Sequence, residues 1–500
     1  MAAGASQAEP QGALQAAAAL PLPEYEQLDA TALAAHIRSG QITPLEALEA
    51  ALARADAARP LNAIALRHDA QARESAQRCS ALGQAARAAL AERAPLLGVP
   101  FALKDLGIAL QGTVTTHGCA FFQDAVADHD ATLVQRYRSA GLNIFAKTTS
   151  PEFGQTATTE SRLFGLTPNP WNRACSAGGS SGGAAVAVAS GILPLAHASD
   201  GGGSIRIPAA HCGLFGLKPS RGLVPMGPRI LEGWMGLSVQ HAISRTVRDS
   251  AVLLQLTQGP EAGSRCGPVP ADLMAALARP PRPLRIALME HNPFGAPVHP
   301  DCLEAVRTAA NLCASLGHRV EPAMPQLAVG EMFASMGVAT ATGMLSLVQA
   351  REKELGRAAR EDEFEPLNWR SLQLARGYSA AQVFDARSVL DQAARTLDVF
   401  LNDYDLILSP VTAAPAPLLG AMSLDQPYED FVLVAMTASP FTALFNMGGQ
   451  PAMSVPLHWN AQGMPIGVQF AAPFGGEATL LALAAQLEQA APWQQRRPPP

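Results

Sequence analysis

The chain has 500 residues, 48% of them hydrophobic and 16% charged, with 36 basic and 42 acidic side chains for a net charge of −6. That composition supplies a sizeable core and excludes a largely disordered chain, and the acidic balance argues against a nucleic-acid partner, which needs a basic face. At ~100–200 residues per domain, the length allows two to four units or one large α/β enzyme.

Residues 1–24 read as a flexible, Ala-rich lead, and 25–495 as one domain, because neither a repeat nor a clear linker interrupts it. Thr43-Pro44-Leu45-Glu46 starts a helix: Thr as N-cap, Pro in the first turn and Glu closing a capping box. It continues to about Ala57, and a second helical stretch covers roughly 67–91. The apolar run 97–106 predicts a buried strand that ends in a loop at Lys104-Asp105. A helix over 132–140, stopped by Gly141, leads to a strand over 143–147. An Ala/Val helix follows Gly183, with a strand near 193–198. Later come a strand at 284–288, a helix at 301–316, a strand at 318–321 and a mainly helical region at 330–402. Strands near 405–409, 452–456 and 465–471 and a helix over 477–490 complete the pattern. Mixed strands and helices over the whole length predict an α/β core with helices on both faces.

The seven cysteines are scattered and form no C-x-x-C pair, which predicts free thiols in a reducing compartment. The first residues lack the basic start of a secretory leader, so a cytoplasmic location is expected. No uncharged apolar run of ~18 residues stands out, so no membrane span is expected. Only four of the basic residues are lysines: Lys104, Lys147, Lys218 and Lys353. Arg cannot shed its proton, whereas a buried Lys can, so these four positions are candidates for base chemistry.

Two Gly-rich loops with serines lie close together, Gly178-Gly179-Ser180-Ser181-Gly182-Gly183 and Gly201-Gly202-Gly203-Ser204. Glycines let main-chain N–H groups converge on one point, as an oxyanion hole requires, with Ser204 at its end as nucleophile. A plain tight turn is the bland alternative. A phosphate cradle is another, but the Walker pattern is absent. The first loop also fits G-x-S-x-G centred on Ser180 or Ser181, which keeps an α/β-hydrolase elbow with a later His open. His241, His318 and His458 are available for it, none in a telling context. No H-E-x-x-H or similar ligand set appears, so no metal is expected. Lys104 follows an apolar run whose burial would lower its pKa and make it a base; a surface pair with Asp105 is the alternative.

The run from Ala177 to Ala189, the stretch Ser199-Asp-Gly-Gly-Gly-Ser-Ile-Arg-Ile-Pro-Ala209, Gly216-Leu-Lys-Pro-Ser220, Leu103-Lys104-Asp105 and the late block from Gly449 to Gln469 together resemble the amidase signature family. The resemblance spans about 25–495 and implies a large mixed twisted β-sheet covered by helices on both faces. It implies a Ser–cis-Ser–Lys triad at Ser204, Ser180 and Lys104, with a cis peptide before Ser180. It places the oxyanion donors at Gly201, Gly202, Gly203 and Ser204, and the acyl-binding wall at Gly154. Position 201, often bulkier in relatives, is Gly here. No cofactor is implied.

Among the family's stand-alone bacterial members, the pieces at 236–239 and 244–250 look most like the 6-aminohexanoate cyclic-dimer hydrolases. The substrate expected is a small amide, anilide or carbamate, linear or cyclic, with ester cleavage as a side activity. Trp234, Met226, Met336 and Met344 are candidate pocket residues. Neither nucleic acid nor membrane is expected as a partner, and a homodimer is left open. The alternatives are a His-dependent esterase and a non-catalytic amidotransferase-like scaffold.

Overall fold

The computed structural model describes residues 21–264 and 267–499. Cys266 and nearly all of the expected Ala-rich lead lie outside the described residues, and the first helix starts at Leu22. Strands β1 (Ile64–Arg67), β2 (Pro100–Lys104) and β3 (Asn143–Thr148) form a three-stranded sheet in the order β1–β3–β2. β3 pairs antiparallel with β1 and parallel with β2. Every residue of β2 and β3 is buried, which is why β2 reads as a continuous apolar run up to Lys104 rather than as an alternating one.

The larger sheet has eight strands: β4 (Leu195–Asp200), β5 (Phe215–Lys218), β6 (Val239–Ser244), β7 (Arg285–Leu288), β8 (Arg319–Pro322), β9 (Leu406–Pro410), β10 (Ala452–Trp459) and β11 (Pro465–Ala471). Their order is β8–β7–β9–β11–β10–β5–β6–β4. β7 is parallel to β8 and β9, and the other pairs are antiparallel. This is the mixed sheet expected, with helices packed over both faces. β2 is an edge of the small sheet and β4 an edge of the large one, and the two edges pack together. Lys104, the last residue of β2, therefore faces the strand that leads into the second Gly-rich loop.

The capping box at Thr43 forms as read: Thr43 Oγ1 accepts from the Glu46 N–H at 3.1 Å, and Glu46 accepts from the Thr43 N–H at 2.7 Å. The stretch 67–91 is instead two helices, Asp69–Ser80 and Gln84–Arg93, separated at Gly83, with β1 just before them. β5 and β6 were not expected. β5 is four residues long with an internal glycine, which hides a strand signal.

The helical region holds Val329–Leu355, Pro366–Arg376 and Ala380–Phe400. One expectation is corrected here. Residues 332–349 carry no charge, and the helix Val329–Leu355 is long and apolar enough to cross a membrane. Its Ser, Thr and Gly residues disguise it as an ordinary polar helix in the sequence. In this fold it packs along the other two helices of the region.

Candidate active site

Lys104 is fully buried at the end of β2. Its Nζ is hydrogen-bonded to Ser180 Oγ at 2.7 Å and to Ser199 Oγ at 3.1 Å. Burial pushes its ammonium down to about 7, against the pull of the Asp200 carboxylate. Asp105 is not its partner: that carboxylate turns away, accepting the Thr116 N–H at 3.0 Å and the Thr116 hydroxyl. The charge Lys104 feels is Asp200, which was not anticipated.

Ser180 sits in the first Gly-rich loop, after a cis Gly179–Ser180 peptide. The loop is glycine because it runs against main chain: a Cβ on Gly179 would strike the Thr158 carbonyl. Gly154 lies beside it, with φ +68; a Cβ there would come within 2.9 Å of Ser180 Oγ and 2.7 Å of Leu106 Cδ2. The neighbouring Ser181 has its hydroxyl committed to the Ser199 carbonyl at 3.1 Å. Its N–H reaches the Ser204 carbonyl at 3.2 Å, so the two serine loops are tied together directly.

The second loop is braced from below by Asp200. Its carboxylate accepts the N–H of Gly203 at 2.7 Å and of Ile205 at 3.0 Å, and pairs with the buried Arg206 guanidinium at 2.8–2.9 Å. Burial alone would push the Asp200 carboxyl up, but the Arg206 charge and its hydrogen bonds hold it well below the usual carboxylate range. Arg206 is in turn bonded to the Thr442 carbonyl at 2.8 Å and to Gln469 at 2.7 Å. Buried ions survive only when paired and hydrogen-bonded in this way. This network explains why Asp200 and Arg206, and Gln469 far from both in sequence, accompany the serine loops.

Gly203 departs from the expectation. Its N–H is taken by Asp200, so it has none to offer a substrate. Among the described residues the N–H groups of Gly201, Gly202 and Ser204 have no acceptor within the chain. Trp234 and Met336 cover these glycines. A Cβ on Gly201 would lie 2.5 Å from Trp234 Cζ3, and one on Gly202 would lie 2.8 Å from Met336 Cε. Gly201 lacks the bulkier side chain because the indole occupies its place. Met344, by contrast, is buried in a cluster with Phe121, Phe153 and Phe364, and Met226 packs on Gly233.

The structure brings Lys104, Ser180, Ser204, Gly154 and Trp234 together, and beside them stand Ser199 and His197, which sequence reasoning did not single out. Both residues were legible in principle, since they alternate along β4 and share one face of it. Among the described residues no cluster of three His, Cys, Asp or Glu side chains could hold a metal ion, and the described cysteines are free thiols.

The amidase family model matches residues 46–481. The chain is 36% identical over 493 residues to the 6-aminohexanoate-cyclic-dimer hydrolase of Paenarthrobacter ureafaciens, covering 94% of this chain and 96% of that protein. The solved structure of a 6-aminohexanoate cyclic dimer hydrolase superposes with a TM-score of 0.88 at 34% identity, over 95% of this chain and 99% of that one. A bacterial aryl acylamidase of the amidase signature family follows at TM-score 0.84 and 27% identity, over 94% and 97%. With a family model that covers most of its length and a relative aligned almost end to end, this chain belongs to the amidase family and is a hydrolase of carbon–nitrogen bonds.

Proposed function

We propose that the chain hydrolyses small amides, anilides or carbamates, linear or cyclic, through a Ser204–Ser180–Lys104 relay and an acyl-enzyme. The observation that carries this reading is the buried Lys104 amine at 2.7 Å from the Ser180 hydroxyl, held near neutrality by desolvation. A neutral amine has one lone pair and two N–H bonds. It donates to Ser199 and accepts the Ser180 proton as Ser180 accepts that of Ser204. Ser204 Oγ then bonds to the substrate carbonyl carbon, and the carbonyl oxygen gains negative charge. The N–H groups of Gly201, Gly202 and Ser204 are the donors free to meet it. As the intermediate collapses, the C–N bond breaks and the proton returns through Ser180 to the leaving nitrogen. Water repeats the attack on the ester, and Ser204 recovers its proton as the acid leaves.

The alternative elbow reading has less behind it. The group on Ser180 is an amine rather than an imidazole, and the Ser181 hydroxyl is committed to a main-chain carbonyl. Gly154 leaves room for an acyl group beside Ser180, while Trp234 and Met336 provide the apolar flank. The cyclic and aryl amides named for the relatives fit that description.

The test is a hydrolysis panel of p-nitroanilides, linear and cyclic aliphatic amides and aryl carbamates on wild type and Ser204→Ala. Turnover should fall at least ~10³-fold in the variant with the fold intact. An unchanged rate would move the nucleophile to Ser180 or Ser181. Detection of tRNA-dependent amidation would overturn the small-substrate assignment.

A further inference from the structure

The segment 104–107 is fastened at both ends by two side chains outside the relay. The Lys104 main-chain N–H donates to His197 Nδ1 at 3.0 Å. His197 Nε2 lies 2.8 Å from Gln240 Oε1, and Gln240 Nε2 donates to the Gly107 carbonyl at 3.3 Å. The polarity of this chain of bonds is fixed by its ends. A main-chain N–H can only donate, so His197 Nδ1 must accept and carry no proton. A carbonyl can only accept, so the Gln240 amide must present its NH₂ to Gly107 and its oxygen to His197. Nε2 therefore carries the ring proton. A protonated imidazole cannot fit, because its Nδ1–H would face another N–H.

We propose that His197, oriented by Gln240, is a positioning residue for the base: it fixes the β2 terminus from which Lys104 reaches Ser180 and keeps that corner free of added charge and water. This rests on the reading of Lys104 as the base. Two features of the fold support it. First, β2 and β4 are edge strands of different sheets, and β4 presents both His197 to the Lys104 N–H and Ser199 to the Lys104 amine, from one face. One strand thus holds the base by its main chain and by its head. Second, Leu106, within the fastened segment, sits against Gly154 and so sets the wall beside Ser180.

The titratable groups acting on His197 are Lys104 from β2, Lys147 from β3 and His241 from β6, with the Tyr137 ring edge-on at 5.9 Å from the helix Thr132–Ser139. All three titratable groups are bases, so each disfavours a charged ring. Burial pushes His197 down to about 3, which leaves it neutral throughout the working range.

The test follows the rate at which a small alkyl fluorophosphonate labels Ser204, forming an Oγ–P bond and releasing fluoride, as a function of pH. This probe needs no knowledge of the substrate. His197→Leu removes the acceptor at similar volume. It should slow labelling about 10–100-fold, as loss of an outer positioning partner does elsewhere. Its acid limb should move up by about one pH unit, because a loosened corner admits water and returns Lys104 towards its ordinary value. His197→Asn places an amide oxygen where Nδ1 stood and should recover most of the rate and the limb. Gln240→Leu, one step further away, should shift both in the same direction by less, and it serves if His197→Leu does not fold.

Equal losses in the Leu and Asn variants, or a wild-type limb in His197→Leu or Gln240→Leu, would reduce the pair to packing and overturn the proposal alone. Failure to label wild type would overturn the proposed function, and this inference with it.

Discussion

Two buried lysines mark two regions of this fold, and they differ in what they can do. Lys104 and Lys218 are both fully buried, and burial pushes each down to about 7. Lys218 ends β5 in the middle of the large sheet, next to β10. Its Nζ donates to the Pro219 carbonyl at 2.9 Å, and it feels Arg206, Asp200, Glu477 and Arg221. Lys104 ends an edge strand, and its neighbours are two hydroxyls. A carbonyl has no proton to give, whereas a serine hydroxyl has one. The difference teaches that a lowered pKa makes an amine available, and that only its partners make it a base. Lys147 supports the point: burial pushes it to about 8, and its Nζ donates to the Val114 carbonyl and to the Thr115 hydroxyl, whose own proton goes to the Ile108 carbonyl at 3.2 Å.

The largest effect should come from exchanging the two regions' lysines. Lys104→Met and Lys104→Arg should each lower kcat at least ~10³-fold, equally, since Arg keeps a charge that it cannot shed. Lys218→Met should leave kcat within about 10-fold and act instead on the melting temperature, as loss of a buried charged partner does. Steady-state rates beside thermal unfolding decide it. A Lys218→Met enzyme that is inactive yet as stable as wild type would erase the contrast.

Acidity sharpens the same comparison. The proposed relay needs Lys104 unprotonated, so kcat/KM should fall about tenfold per unit below pH 7, the usual slope for one essential group. Lys104→Arg should show no such limb. Stability should treat the two lysines alike. Each has a folded-state pKa below its unfolded value of ~10.4, so between about 7 and 10 the unfolded chain binds more protons. Stability should therefore rise with pH across that window and be lower on its acid side. Lys104→Met and Lys218→Met should each flatten part of the rise. A pH series of denaturant midpoints beside the rate profile shows whether rate follows one lysine while stability follows both.

Much of this was legible in the chain, for a physical reason. The Gly-rich loops announce themselves because main chain passes main chain at Gly179, where no side chain fits. The burial of Lys104 was legible because a buried strand reads as an unbroken apolar run, and the capping box at Thr43 because its bonds are local. What stayed hidden depends on sheets meeting. Nothing within β2 says that His197 caps it, and nothing near Asp200 says that its pull reaches Lys104. The role given to Gly203 failed for the same reason: a nest of N–H groups is visible in sequence, but not the carboxylate that claims one of them.

A smaller effect should separate the wall beside the relay from the relay itself. Gly154→Ala puts a methyl 2.9 Å from Ser180 Oγ, at a φ of +68 that an L side chain adopts only under strain. A displacement of that size near the reacting atoms should cost about 10–100-fold in kcat. The acid limb should stay in place, because Lys104 keeps its surroundings. A shifted limb would show that the wall and the base are one unit.

The smallest change in rate, and the largest in preference, should come from Trp234. Its indole fills the space of absent side chains at two glycines, lying 2.5 Å from the Cβ position of Gly201 on one side and 2.5 Å from that of Gly343, in the helix Val329–Leu355, on the other. The ring therefore links the second Gly-rich loop to the helical region, from which the sequence had offered Met336 and Met344 as pocket candidates. Trp234→Ala removes the ring and leaves the Gly201 and Gly202 N–H groups where they are. Small amides should lose less than about 10-fold in kcat, while amides with a bulky flank should gain in kcat/KM relative to them, since an apolar pocket discriminates by about 10–200-fold per missing or extra group. Gly201→Ala should be damaging in the wild type and tolerated with Trp234→Ala, because the added methyl then enters the space the ring has left. Independent, additive losses in that double variant would mean that the indole does not set the size of the site, and the helical region would have to be searched for another wall.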